Sequence, residues 1–372
     1  MESDNKLFLL DAYALIYRAY YAFIKNPRIN SKGFNTSAIL GFVNTLEEVL
    51  KKENPTHIGV AFDPAGPTFR HEAFEQYKAQ REETPEAIRL SVPIIKEIIR
   101  AYRIPILEVA GYEADDVIGT LATEAGRQGI ITYMMTPDKD YGQLVSDKVF
   151  MYRPKHTGGF EVMGVDEVKA KFDIQSPAQV IDMLGLMGDS SDNIPGCPGV
   201  GEKTAQKLIA EFGSIENLLE HTDQLKGALK TKVETNREMI TFSKFLATIK
   251  IDVPIQLDMD SLVREQADED SLRQIFEELE FRTLIDRVLK KENAGNGITT
   301  PTGNKTAAEK SNLAPLPLFP EEGGAVQGDL FANFTGNEPG EAKNSNLATL
   351  ETLNCDYQLI DTEEKRTKII QK

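Results

Sequence analysis

LFLLD, residues 7–11, is a short apolar run that ends in an aspartate, and its reading decides the fold. Two more runs share this build: HIGVAFD (57–63) and IITYMM (130–135), the latter followed by TPDKD. Continuous apolar runs of this length, bounded by polar residues, are typical of strands buried on both faces. Between them, 36–53, 86–103 and 114–127 carry helical spacing. The alternation predicts an α/β fold over 1–165, a mainly parallel sheet flanked by helices. Such sheets place their sites beyond the carboxyl ends of the strands. Asp11, Asp63, and Asp138 with Asp140 stand at those ends.

Four more segments read as helices, 178–187, 202–211, 214–220 and 234–246, so 166–289 is expected to be a helical region. From 290 to 345, Asn, Gly, Pro, Thr and Glu dominate, as in a flexible linker. Near 346 order is expected to resume, with YQLIDTEEKRTKII suggesting a strand and the start of a helix. No apolar run is long enough to span a membrane, and the charged MESDNK start lacks a signal-peptide core. Cys197 and Cys355 lie far apart, which fits a reduced cytoplasmic compartment and no disulfide framework.

A net charge of −16 argues at first against a nucleic-acid partner. The location of the charge changes that reading. Residues 1–292 carry −12, and nine of their acids belong to one constellation; without these the region stands at −3. Besides the four strand-end aspartates, the nine comprise Glu113, Asp115 and Asp116 in GYEADDVIGTLA, and Asp189 and Asp192 in GDSSDNIPG. The i, i+3 spacing puts Glu113 and Asp116 on one helix face. As a set they are more than turn and cap residues, because so many carboxylates in a small volume repel unless cations sit among them. Hard oxygen ligands with no competing His or Cys cluster select Mg²⁺ or Mn²⁺, and two such ions are a standard device for phosphodiester hydrolysis.

The segments LLDAYALIYRAYYAF, AFDPAGPTFRHEAFEQYKAQR, GYEADDVIGTLA, TPDKDYGQLV and GDSSDNIPGCPGVGEKTA resemble the 5′ nuclease domain of bacterial DNA polymerase I, within the wider flap endonuclease family. The resemblance runs from about residue 5 to 289 and fills all nine acidic positions. It implies a PIN-like fold and a structure-specific 5′→3′ exonuclease or flap endonuclease acting on branched or nicked duplex DNA with a 5′ end. The setting it implies is primer and flap removal in replication and repair, in a bacterial cytoplasm, by a monomer. It places Asp11, Asp63, Glu113 and Asp115 around one metal and Asp115, Asp138, Asp140 and Asp192 around the other, with Asp116 and Asp189 acting through water. Residues 346–372 resemble the beginning of a 3′→5′ proofreading domain, and no polymerase activity is expected of residues 1–372.

The resemblance also makes residues 68–103 a basic helical arch over the metals. Lys78, Arg81 and Arg18, with Arg70, are the candidates for stabilising the phosphate. Tyr21 and Tyr77 are candidates for stacking on an unpaired base. GCPGVGEKTAQKL has the pattern of a helix–hairpin–helix, within about 185–212, in which Gly199 and Gly201 permit a tight hairpin. Gly199, Val200, Gly201, Lys203 and Thr204 would hold duplex phosphates without reading bases, and the family pattern adds a potassium ion on hairpin carbonyls. Within the linker, QGDLFANF (327–334) resembles a QxxLF peptide that docks on the bacterial sliding clamp, through Gln327, Leu330 and Phe331. Two rivals differ in class or substrate. A non-catalytic module for branched DNA would be marked by missing ligand acids, and an RNA-cleaving relative of the same sheet by the lack of a duplex-binding hairpin.

Overall fold

The computed structural model describes residues 5–155 and 159–289. The expected linker, the proofreading-like segment and the clamp-type peptide lie outside the described residues.

Six strands form one sheet: β1 (Lys6–Asp11), β2 (His57–Ala61), β3 (Ile106–Leu107), β4 (Ile131–Met135), β5 (Val149–Pro154) and β6 (Phe160–Met163). Their order is β3-β2-β1-β4-β5-β6. All neighbours are parallel except β5 and β6, which pair antiparallel. The direction of winding reverses between β1 and β4, and clefts in doubly wound sheets open at that kind of point. Asp11 ends β1, and Asp138 follows β4 by three residues.

β1 shows why the sheet is covered twice. Leu7 and Leu9 enter one core, while Phe8 and Leu10 enter the other. The helices are α1 (Ala12–Ala22), α2 (Ser37–Glu48), α3 (Phe69–Ala73), α4 (Glu86–Ala101) and α5 (Ala114–Arg127). They continue with α6 (Val165–Phe172), α7 (Gln179–Met187), α8 (Glu202–Phe212), α9 (Ile215–Glu220), α10 (Gly227–Thr235), α11 (Arg237–Ala247), α12 (Glu269–Glu278) and α13 (Arg282–Leu289). Residues of α5 through α11 share the core of the first face; those of α1, α2 and α4 build the second.

Every element that follows β6 in the chain is helical, and Leu272, Phe276 and Leu284 of α12 and α13 return to the core of α2 and α4. The basic arch is smaller than 68–103. Helix α4 buries Ile88, Ile95, Ile98 and Ile99 in that same core, as a stripe at 3.6-residue spacing requires.

Candidate active site

The local structure of the acidic edge depends on the acids themselves. Asp11 caps α1 by accepting from the Ala14 amide at 3.1 Å. Asp63 accepts from the Ala114 amide at 2.7 Å, and Asp138 caps the turn after β4 by accepting from the Asp140 amide at 2.9 Å. Glu113 and Asp116 form a capping box at the start of α5. These carboxylates therefore organise backbone and face the edge at once.

The electrostatics divide them. Despite burial, Lys78 and Arg70 hold Glu113 below the usual carboxylate range, and Lys78 and Arg81 do the same for Asp192. Burial pushes Asp11 up to about 7, with Asp63 adding like charge. Burial likewise raises Asp63, Asp115, Asp138 and Asp140, joined by repulsion from neighbouring acids. Asp115 Oδ1 and Asp140 Oδ1 are buried with no hydrogen-bond partner. Buried orphan oxygens on charged groups are costly, and a hard cation would satisfy them.

Among the described residues, no group of three or more His, Cys, Asp or Glu side chains is arranged tightly enough to hold a metal ion. The acids of the two-ion reading are thus spread along the edge rather than gathered into one tight group. The carboxylates instead meet protein cations. Lys78 Nζ lies 2.7 Å from Glu113 Oε1 and 3.7 Å from Asp192 Oδ2. Arg81 Nη2 lies 2.6 Å from Asp192 Oδ1, and Lys139 Nζ lies 3.0 Å from Asp189 Oδ2.

Lys78 has a left-handed backbone, φ 55°, unusual for a side chain of its size. Its amide donates to the Asp192 carbonyl at 3.0 Å. Gln80 and Arg81 donate to carbonyls of Ser190 and Ser191, and Asn193 donates to the Gln76 carbonyl. Segment 76–81 is thereby stitched to the turn that carries Asp189 and Asp192.

Three expected roles change. Arg70 is 1% exposed. Its guanidinium meets Asp116 through two bonds of 2.8 Å, meets Glu113 at 3.1 Å, and donates to the Leu246 and Thr248 carbonyls. It cannot reach a phosphate from there; it is a positioning residue. Asp116 is saturated, since its oxygens also accept from the Glu113 and Lys250 amides, which leaves nothing for a metal or its water. Tyr77 is 3% exposed, with its hydroxyl 2.9 Å from Glu113 Oε2 and 3.1 Å from Asp192 Oδ2, so its ring has no open face for a base. Arg18 is partly buried and donates to the Lys155 carbonyl at 3.3 Å, with Glu48 among the charges that bear on it. Asp189, for its part, is tied to Ser191 and Lys139.

Tyr21 is half-buried and stacks on Tyr17 with ring centres 6.3 Å apart. Gly199 has φ 75° in the hairpin between α7 and α8, but Gly201 is an ordinary extended N-cap of α8. The tight backbone approach falls elsewhere: a Cβ on Gly196 would sit 2.3 Å from the Gly188 amide nitrogen. Val200 is buried and Lys203 exposed, with Thr204 between these extremes. Lys232 Nζ lies 3.2 Å from the Gly199 carbonyl, so a lysine holds an oxygen expected to face potassium. Sequence reasoning missed Thr136 and Tyr141, which bond Asp11 Oδ2 at 3.2 and 3.1 Å. Tyr141 stands inside the quoted TPDKDYGQLV, where a hydroxyl beside two acids was the available signal.

Residues 6–173 match the family model of the 5′-3′ exonuclease N-terminal resolvase-like domain, and residues 175–270 match that of the 5′-3′ exonuclease C-terminal SAM fold. The chain therefore belongs to the 5′-3′ exonuclease family and is an enzyme of the nuclease class. It is 42% identical to DNA polymerase I of Bacillus caldotenax over 287 residues, 76% of this chain and 32% of that protein. With DNA polymerase I of Bacillus subtilis (strain 168) it shares 43% identity over 291 residues, 77% of this chain and 33% of that protein. The chain thus spans about a third of the length of the curated relatives it matches. The fold is shared with T5 5′-exonuclease bound to zinc ions, at TM-score 0.56 and 21% identity, covering 74% of this chain and 99% of that one. It is shared too with the catalytic core of Rad2 in complex with DNA substrate, at TM-score 0.52 and 17% identity, covering 77% and 93%. No helix among the described residues is long and apolar enough to cross a membrane.

Proposed function

We propose that this chain is a divalent-metal-dependent 5′ nuclease that cuts DNA near the junction of a 5′ single strand and a duplex, leaving a 5′-phosphate and a 3′-hydroxyl. The observation that carries this reading is the partition of the acidic edge. Five carboxylates pushed toward protonation, two of them with orphaned buried oxygens, adjoin two more whose charge Lys78 and Arg81 offset. The donor set is all oxygen and suits Mg²⁺ or Mn²⁺. Asp11, Asp63, Glu113 and Asp115 would hold one ion and Asp115, Asp138, Asp140 and Asp192 the other. Bound there, the ions would supply Lewis acidity toward the phosphodiester and lower the pKa of water.

The protein's own groups do the rest. Lys78 and Arg81, released from Glu113 and Asp192, turn to the scissile phosphate and offset the charge that grows in the transition state. Arg70, by fixing Glu113 and Asp116, keeps the start of α5 in register with β1 and β2. Tyr21 offers a ring to an unpaired base at the junction. The first turn of α8, with Lys203 and Thr204, grips duplex phosphates. A potassium ion at the hairpin would have to displace Lys232 from the Gly199 carbonyl.

T5 5′-exonuclease with bound metal ions and Rad2 with DNA substrate support the metal and the DNA parts of this reading. The relatives named DNA polymerase I, from Bacillus species, support a setting beside a polymerase in a bacterium; primer and flap removal in the cytoplasm is the role we infer there. Gln327, Leu330 and Phe331 would tether the chain to a sliding clamp, and the protein would act as a monomer. A 5′-labelled flap duplex incubated with Mg²⁺ and with EDTA tests the reading. A discrete metal-dependent cut near the junction supports it. Retention of the duplex without any cut indicates a binding module instead.

A further inference from the structure

The carboxylate at the end of β1 is held from the neighbouring strand by two hydroxyls. Thr136 directly follows β4, and the register Leu10↔Met135 sets it level with Asp11. Tyr141 stands in the turn Lys139–Leu144 that comes next. Both side chains are fully buried. Tyr141 gives its one hydroxyl proton to Asp11 Oδ2 at 3.1 Å, and Thr136 Oγ1 donates to the same oxygen at 3.2 Å. Thr136 Oγ1 in turn accepts from the Asp138 amide at 3.2 Å, which leaves its own proton for Asp11. A chain of hydrogen bonds therefore runs from the Asp138 amide through Thr136 to Asp11. It crosses from β4 to β1, where the winding of the sheet reverses.

The donors decide what Asp11 can still do. An ionised carboxylate has about four lone-pair directions, shared equally by its oxygens. On Oδ2 the two hydroxyls take both. On Oδ1 the Ala14 amide takes one. A single direction, on Oδ1, is left over. Asp140 Oδ1, in the same turn as Tyr141, is by contrast buried with no hydrogen-bond partner. The Asp11 carboxylate is thus locked by its neighbours, and an ion meeting it finds the oxygen already aimed.

We propose that Thr136 and Tyr141 are positioning residues for the metal edge, which fix Asp11 against Asp138 across the junction of β1 and β4. The inference rests on the metal-dependent reading above and deepens it. Both hydroxyls act through Asp11 rather than on the ion or the DNA. Without them the carboxylate can rotate, and the cost of ordering it falls on the bound cation. Partners of this kind, one step behind a metal ligand, typically account for about 10- to 100-fold in metal affinity.

The experiment uses the full chain. Mn²⁺ binding without DNA is read by electron paramagnetic resonance, and single-turnover cleavage of a 5′-flap duplex is followed against Mg²⁺ concentration. Tyr141→Phe and Thr136→Val keep the shape of each side chain and remove its hydroxyl. Each should weaken Mn²⁺ binding about 10-fold or more and move the Mg²⁺ dependence of cleavage to higher concentration by a similar factor. Affinity for the flap duplex in EDTA should not change. Thr136→Ser returns the hydroxyl and should restore Mn²⁺ binding. If Thr136→Val does not fold, Tyr141→Phe still reads the site. A merely structural role would lower stability in urea and leave Mn²⁺ affinity and Mg²⁺ dependence unmoved, and that result would overturn the proposal. Mn²⁺ binding by Thr136→Ser as weak as that of Thr136→Val would do the same. Failure of the wild type to bind Mn²⁺ at all would instead strike the reading on which the proposal rests.

Discussion

Lys78 Nζ lies 2.7 Å from Glu113 Oε1, so an ammonium from the segment over the sheet edge is inserted among the acids at the start of α5. The same lysine keeps Glu113 and Asp192 ionised against their burial. Its position couples the charge state of the edge to the place where a phosphate would arrive.

Lys78→Ala should lower turnover on a flap duplex by about 10²-fold or more while changing DNA affinity little, because a phosphate-polarising group acts mainly in the transition state. Single-turnover rates and anisotropy on the same substrate check this. Equal losses in rate and affinity would assign Lys78 to ground-state binding.

Lys203→Ala should do the reverse. Lys203 is exposed in the first turn of α8. Its loss should weaken duplex binding across sequences and reduce the salt slope by about 1. A salt titration of duplex affinity reads the change, and an unaltered slope would remove Lys203 from the interface.

Arg70→Ala should unfold the protein more readily before it says anything about chemistry. Removing the guanidinium leaves Glu113 and Asp116 buried without it, which typically costs about 3–5 kcal/mol. Urea unfolding in EDTA measures the loss. A fully stable Arg70→Ala protein with depressed turnover would return Arg70 to a direct role in catalysis.

Asp11→Asn should stabilise the metal-free protein above neutral pH. Burial and Asp63 raise Asp11 in the folded state to about 7 from 3.8. The folded state therefore binds the extra proton between those values, and wild-type stability falls as pH rises from about 4 through 7. Asparagine keeps the cap of α1 and removes the titration. In EDTA the variant should come closest to the wild type below about pH 4 and gain on it through pH 7, by up to about 4 kcal/mol at pH 8. Adding Mg²⁺ should favour the wild type and narrow the gap. Destabilisation of Asp11→Asn at pH 8 in EDTA would contradict the raised carboxyl.

Much of this architecture is legible in the sequence, for definite reasons. The runs that became β1, β2 and β4 are continuous and apolar because each is covered on both faces. β3 has two residues, and β5 and β6 mix Arg153, Pro154 and Glu161 into a hairpin at the sheet margin, so neither periodicity nor run length reveals them. The nine acids could be gathered because strand ends and helix starts are sequence-visible. Which of them face outward was not. Asp115 and Asp116 are adjacent, and only the fork of Arg70 and the Lys250 amide, from segments far along the chain, consume Asp116. Tyr77 and Arg70 read as DNA contacts because an aromatic or cation in a basic motif looks exposed. Their burial comes from distant closure by the 189–194 turn and the end of α11.

Asp115→Ala tests the central claim most directly. Asp115 Oδ1 is a buried oxygen with no hydrogen-bond partner, and the account assigns this side chain to both metal positions. The measurement is single-turnover cleavage of a 5′-labelled flap duplex at saturating Mg²⁺, with folding checked by circular dichroism and binding by anisotropy. The account predicts a folded protein that still binds the duplex and cuts it at least about 10³-fold more slowly. Near-normal cleavage by folded Asp115→Ala would contradict the two-metal edge.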